Sequence, residues 1–208
     1  MPRQPFTLWR SVDNTFPKSV LIAGQETPIN SDFRTILKIL KIYEDNDVND
    51  VRKFSLILEW FYPVIPVEYA NEALTALVEF VAPPKEEYSD PMRSVYMNNQ
   101  EKLRKEKSQK YCFEFDAEEI YISFLYDYKI DLVEIEYLHW YKFLIMFSNL
   151  SKDTPFQRKM ELRTMDLKDF KGKDRARMMK AQKAVQIPLK LSTEEMDQMS
   201  KLIETLMS

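Results

Sequence analysis

The sequence predicts a mainly α, helical bundle-like protein with a short β-hairpin near its N-terminus. Apolar residues recur at spacings of three and four along most of the chain, which is typical of amphipathic helices. Only two glycines occur among 208 residues, Gly24 and Gly172. Few backbone positions can then adopt the positive φ that tight strand turns need, which favours helices over sheets. With 45% hydrophobic residues, the chain can fill a sizeable core.

The hairpin is predicted where the segments 19–22 and 26–29 flank the turn Ala23-Gly24-Gln25. Three helices follow it. The first begins after the capping cluster Asn30-Ser31-Asp32 and ends near Tyr43, and Pro63 stops the second. Their predicted apolar stripes are Phe33, Ile36, Leu37, Leu40 and Tyr43, then Val51, Phe54, Leu58 and Phe61, then Ala70, Ala73, Leu74, Leu77 and Val81.

The chain is predicted to divide into two helical lobes. Residues 1–82 form the lobe with the hairpin and three helices. Residues 83–110 are polar and highly charged, which is typical of a mobile linker or an exposed charged helix. Residues 111–208 form the second lobe, with the basic segment 168–183 and a terminal helix after Ser192.

Four helices are predicted in the second lobe. Asp116 is the expected N-cap of the first, the next is the most apolar of the chain, and Ser151 and Pro155 begin another. Gly172 is expected to break the basic segment. Ser192 and Glu195 have capping-box spacing at the start of the last helix. The stripes of the first and last of these helices are Ala117, Ile120, Tyr121, Phe124 and Tyr128, and Met196, Met199, Leu202, Ile203 and Leu206.

No catalytic, cofactor-binding or metal site is predicted, and we do not expect an enzyme. A phosphate-binding loop needs several neighbouring glycines, and a structural zinc site needs about four Cys or His ligands, whereas this chain has one of each, Cys112 and His139. His139 is interpreted as a hydrogen-bonded core or boundary residue. The stretch after Asp45 begins like a calcium loop, but its sixth position is Asp50 and its twelfth is Leu56. The carboxylates of Glu114, Asp116, Glu118 and Glu119 are interpreted as helix-start residues.

Composition also limits the partners and the location. The net charge of −3 gives no overall attraction to nucleic acid or anionic lipid. The longest strongly apolar run, 143–147, is too short to span a bilayer, and the first ten residues do not have the pattern of a signal peptide. One cysteine cannot form an internal disulfide. We therefore expect a protein of the reducing cytoplasm, without a membrane partner.

The candidate partner-binding residues lie near the C-terminus. The basic residues of segment 168–183 are expected to form a solvated helical face or to contact an acidic protein, while nucleic acid is a weaker alternative because few aromatic residues accompany them. Methionine side chains adapt to varied apolar partners, although a methionine stripe also suits an ordinary core. The candidates are Arg175, Arg177, Lys180, Met178, Met179, Met196, Met199, Leu202 and Leu206.

Three segments resemble a family of small proteins of Gram-positive siphophages and prophages, encoded in the tail module near the tape-measure gene. The longest, Phe115 to Phe143, is FDAEEIYISFLYDYKIDLVEIEYLHWYKF, and RTMDL follows at Arg163. The third is INSDFR at Ile29, directly after the hairpin. The resemblance covers most of the chain from about residue 16 to residue 183.

The resemblance implies a tail assembly chaperone. Such a protein would bind the tape-measure protein, help recruit the major tail (tube) protein, act in the host bacterial cytoplasm and be absent from the mature virion. It transfers no catalytic residue. Two alternatives stay open, namely a structural tail component retained in the virion and a nucleic-acid-binding regulator that uses segment 168–183. Self-association also stays open.

Overall fold

The computed structural model describes residues 16–81 and 110–188, which form a mainly α fold and confirm the predicted fold class. The predicted linker up to residue 109, the terminal helix and the four candidates Met196, Met199, Leu202 and Leu206 lie outside these residues. The described elements are strands β1 (Ser19–Ile22) and β2 (Gln25–Pro28), helices α1 (Phe33–Tyr43), α2 (Asp50–Phe61) and α3 (Ala70–Val81), preceded by a 3₁₀ helix (Val67–Tyr69), and helices α4 (Ala117–Tyr128), α5 (Trp140–Ser148), α6 (Pro155–Thr164) and α7 (Gly172–Ala184).

The hairpin is antiparallel, and its turn is shorter than predicted. Gln25 pairs with Ile22, so the turn holds only Ala23 and Gly24. Both have positive φ, 49° and 78°. A two-residue turn needs this backbone to match the right-handed twist of the strands. The Ala23 N–H also donates to the Glu72 carboxylate at 2.7 Å, which ties the turn to α3.

Helices α1 to α3 begin and end close to the predicted residues, but their buried faces differ in part. Asp32 caps α1 and Asn49 caps α2. Ile39 is buried on α1, whereas Tyr43 is exposed, because the packed face of α1 ends a turn earlier than its stripe. The first turn of α2 is also exposed, and Val51 is 79% accessible. On α3, the predicted Ala73, Leu77 and Val81 are buried and Phe80 joins them, while Ala70 and Leu74 are only partly buried.

Residues from both described ranges build one hydrophobic cluster. Its centre is an aromatic stack around Phe143, whose ring lies 4.8 Å from Phe33 and 5.2 Å from Phe124, with the planes nearly parallel. Tyr141 stacks on Phe80 at 4.8 Å. Offset aromatic pairs of this kind stabilise a fold beyond the area that they bury. The most apolar helix, α5, therefore joins α1, α3 and α4.

The C-terminal helices depart from prediction at one position, the start of α6. Thr154 caps α6 with Pro155 as its first residue, while Ser151 instead donates from its N–H and its hydroxyl to Asp127. Gly172 does mark a break, since it begins α7 with φ of 55°. Helix α7 has no buried residue and packs on α6. No helix in the two described ranges has the length and apolarity needed to cross a membrane.

Candidate protein-interaction surface

The INSDFR segment joins the loop that precedes α5. The Asp32 carboxylate accepts hydrogen bonds from the Arg34 guanidinium at 2.9 Å and from the Leu138 N–H at 3.1 Å. Arg34 in turn donates to the carbonyls of Ile135 and Glu136. Burial by itself raises the pKa of Asp32, but the hydrogen bonds from Arg34 and Leu138 outweigh it and hold that pKa below its ordinary value of 3.8. This part of the motif therefore holds the fold together.

Backbone and hydroxyl contacts continue the same junction. Phe33 N–H donates to the Leu138 carbonyl at 2.9 Å, and Trp140 N–H donates to the Ser31 carbonyl at 2.8 Å. The hydroxyls of Ser31 and Tyr137 lie 2.7 Å apart. The INSDFR segment and the longest segment of the resemblance thus meet across about a hundred residues of chain, and their contacts serve the fold.

A buried charge cluster joins α4 to α6. The Asp116 side chain is fully buried and forms a two-pronged ion pair with the Arg163 guanidinium, at 2.7 and 2.8 Å. Lys159 lies 3.0 Å from Asp116 and 2.7 Å from Glu119. The Cys112 N–H donates to Asp116 as well. Burial raises the pKa of Asp116, but Arg163, Cys112 and Lys159 stabilise the anion more and keep that pKa below 3.8.

The N-cap position predicted for Asp116 is confirmed, but its side-chain contacts are not those of a capping residue. Asp116 occupies the N-cap position of α4, yet its side chain makes no capping hydrogen bond because both oxygens face Arg163. Sequence reasoning also missed Arg163, although a signal was present. Arg163 follows Phe156 and Met160 at one-turn spacing, so a charge stands on the apolar face of α6, which indicates a buried partner.

His139 is a core residue, as predicted. Its Nδ1 accepts the Tyr141 N–H at 3.0 Å and so caps α5. Its Nε2 lies 2.9 Å from the Pro17 carbonyl, which only accepts, so Nε2 carries the proton. The two nitrogens are thereby occupied in structural contacts. Across the described residues, no three Cys, His, Asp or Glu side chains are grouped as a metal site would require.

The outward side of α4 is apolar and is not explained by the fold. Leu125 and Tyr126 lie three and four residues after Ile122, and the three side chains are 41%, 59% and 40% exposed in that order. They therefore lie on one helical face, which we call the α4 face. The Lys129 ammonium lies 5.5 Å from the Tyr126 ring at the end of this face. Helix α4 lies inside the longest segment of the resemblance, whose other apolar residues mostly fill the core.

Other exposed apolar side chains lie in the N-terminal half, at the two ends of α2. Val51 and Phe54 are exposed near its start, and Val64, Ile65 and Val67 are exposed in the connection to α3. Contiguous exposed apolar side chains are typical of protein contacts. These side chains are divided between two places and lie outside the three segments that carry the resemblance, so the α4 face is the stronger candidate.

The described members of the predicted partner-binding set lie on α7. Arg175, Arg177 and Lys180 are exposed, Met179 is 51% exposed and Met178 is partly buried. Gln182 anchors α7 by donating its amide to three carbonyls of the segment around the end of α6. The basic side chains of α7 are therefore exposed to solvent, and Gln182 links the C-terminal part of α7 to α6.

The fold and this surface define a small, mainly α protein whose candidate site is a protein-contact face on a helix. The family model for the bacteriophage Gp15 protein matches residues 12–187, and the chain belongs to that family. This confirms the phage origin that the resemblance implies. Neither a curated protein nor a solved structure matches the chain.

Proposed function

We propose that this protein is a tail assembly chaperone that binds the tape-measure protein and helps recruit tail-tube subunits, without enzymatic chemistry. The α4 face carries this proposal. Membership of a phage family and the resemblance of three segments to tail-module proteins support it. A tape measure is a long helix with much apolar surface, and a helical partner can cover that surface. The proposed place of action is the host cytoplasm, before the virion is complete.

The contribution of the α4 face to binding follows from its exposure. Fully burying a large apolar side chain contributes about 1.5–3 kcal/mol, so residues about half exposed contribute roughly 1 kcal/mol each. Replacing Leu125 by Glu removes one such contribution and places a charge in the contact. We expect at least about tenfold weaker binding, since about 1.4 kcal/mol corresponds to a factor of ten.

Co-expression with the tape-measure protein of the same locus tests the proposal. With one partner tagged, the wild-type protein should co-purify and raise the soluble fraction of the tape measure. Leu125→Glu should lose both effects. Val78→Glu is the matched control, because it adds the same charge at an exposed apolar position of α3, away from the α4 face. A soluble tape measure that does not bind the wild-type protein would contradict the chaperone function and favour a structural tail protein.

Mass spectrometry of purified particles distinguishes these two functions independently. A chaperone should be absent from finished virions, whereas a structural component should be present at a fixed ratio to the tube protein. Detection at such a ratio would refute the proposed location.

A nucleic-acid-binding regulator is the second candidate, because Arg175, Arg177 and Lys180 are exposed on α7. Cations that replace phosphate counterions give binding that falls steeply with salt. A duplex-binding assay between 50 and 200 mM salt, with all three residues changed to Gln, tests this function. Binding that is absent, or unchanged in the triple variant, would exclude this use of α7.

A further inference from the structure

A groove runs along one face of α6, and none of the residues that line it belongs to the α4 face. Its volume is about 410 Å³. Tyr111, Phe147, Phe156 and Met160 supply its apolar lining. The α6 positions that line it run from Phe156 to Thr164, a helical length of about 12 Å at 1.5 Å per residue. This is long enough to receive two turns of another helix.

The described chain reaches position 188 close to this groove. The Arg163 guanidinium donates to the Val185 carbonyl and to the Lys110 carbonyl, both at 2.7 Å. One guanidinium therefore holds Val185 next to Lys110, which itself lines the groove. The seven residues 189–195 span up to about 25 Å when extended, which is about twice the length of the groove. Segment 196–206 can therefore reach it.

The chemistry of segment 189–208 suits the groove. Its apolar residues recur at spacings of three and four, and Glu194, Glu195 and Asp197 precede or begin that stripe. The charged residues that line the groove are Lys110, Lys152 and Glu161, so the lining is net positive. Segment 189–208 has four acidic and two basic residues and is net negative.

The other segment that meets the groove is a poorer match. Residues 82–109 arrive at Lys110, but the end nearest to it carries Lys102, Arg104, Lys105 and Lys107. These charges have the same sign as Lys110 and Lys152 and would repel them. Charge complementarity therefore selects segment 189–208.

We propose that segment 189–208 docks as an amphipathic helix in the α6 groove of its own chain, with Met196, Met199 and Leu202 against the apolar lining. A tethered segment needs little intrinsic affinity, because its effective concentration is in the millimolar range for a short connection. The apolar stripe of segment 189–208 is then buried within its own protein. A partner that binds this stripe must first displace the segment from the groove. This inference does not depend on the proposed function.

Site-specific photo-crosslinking in the full chain tests the docking. A benzophenone amino acid incorporated at Gln157, which lines the groove, should crosslink to residues 196–206 within the monomer. The same group at Glu118, which is exposed on α4, should not. Three outcomes would overturn the proposal, namely crosslinks to residues 82–109, crosslinks only between two copies, or no crosslink from Gln157.

Hydrogen exchange of the α6 amides gives a second readout. Leu202→Glu places a charge on the stripe and should speed exchange in α6 by at least about threefold. Thr205→Glu adds the same charge away from the stripe and should leave exchange unchanged. Far-UV circular dichroism of both variants verifies that the rest of the fold is intact. Equal α6 exchange in the two variants would refute the docking.

Discussion

Replacing Asp116 by Asn should unfold this protein more readily than any surface change of the same kind. Asp116, Glu119, Lys159 and Arg163 form a cluster with two negative and two positive charges. The substitution nearly preserves shape but leaves one uncompensated positive charge beside Arg163, whose side chain is 3% exposed. Removing one partner of a buried ion pair costs about 3–5 kcal/mol. We expect that loss in the free energy of unfolding.

Urea denaturation followed by tryptophan fluorescence measures this loss, because Trp140 is fully buried. The same loss should lower Tm by about 6–20 °C, since about 1 kcal/mol corresponds to about 2–4 °C in a protein of this size. Asp153→Asn is the control, because Asp153 pairs with Arg158 at the surface. That pair should contribute less than about 1 kcal/mol. A loss below about 1 kcal/mol for Asp116→Asn would refute the reasoning.

Three further predictions concern pH and the hairpin. The low folded-state pKa values of Asp32 and Asp116 stabilise the protein fully above pH 3.8, and this stability is lost as the pH falls through those values. The urea midpoint of unfolding should therefore fall on acidification, and it should fall less steeply with pH in Asp116→Asn than in the wild type. Equal slopes of midpoint against pH in the two proteins would contradict this. Burial raises the pKa of Tyr62 to about 12, so stability should fall as the pH rises from 10 to 12, and Tyr62→Phe should flatten that fall in alkaline thermal melts. Ala23→Gly should raise the unfolding free energy by about 0.5–1 kcal/mol in urea, because Ala23 has a φ of 49°, while Gly24→Ala should lower it. A higher unfolding free energy for Gly24→Ala than for the wild type would contradict this reasoning.

Elements whose signals are local were predicted well. The hairpin, α1, α2 and α3 lie within a residue or two of their expected positions, because turn residues, caps and apolar spacing are all encoded in short stretches. The turn at Ala23 was predicted one residue too long, since its length depends on the strand register.

The prediction of which apolar residues face the core was less accurate. Val51, Phe54 and Tyr43 continue helical stripes, yet they are exposed. A stripe has the same spacing whether it is filled by its own protein or left open for another, so periodicity alone does not distinguish them. For the same reason, the exposed side chains of the α4 face were not selected from the sequence, although Phe124 and Tyr128 of the same helix were assigned to its stripe.

The sequence by itself determined that this is a mainly α protein with one N-terminal hairpin, that His139 belongs to the core and that the chain resembles phage proteins. These conclusions depend on composition, local spacing and motifs. Only the tertiary structure revealed that Asp116 meets Arg163, that INSDFR joins the loop before α5 and that the α4 face is open. Those contacts join residues 47 to about 100 positions apart, and a buried charge is stable only where the fold brings its partner into contact.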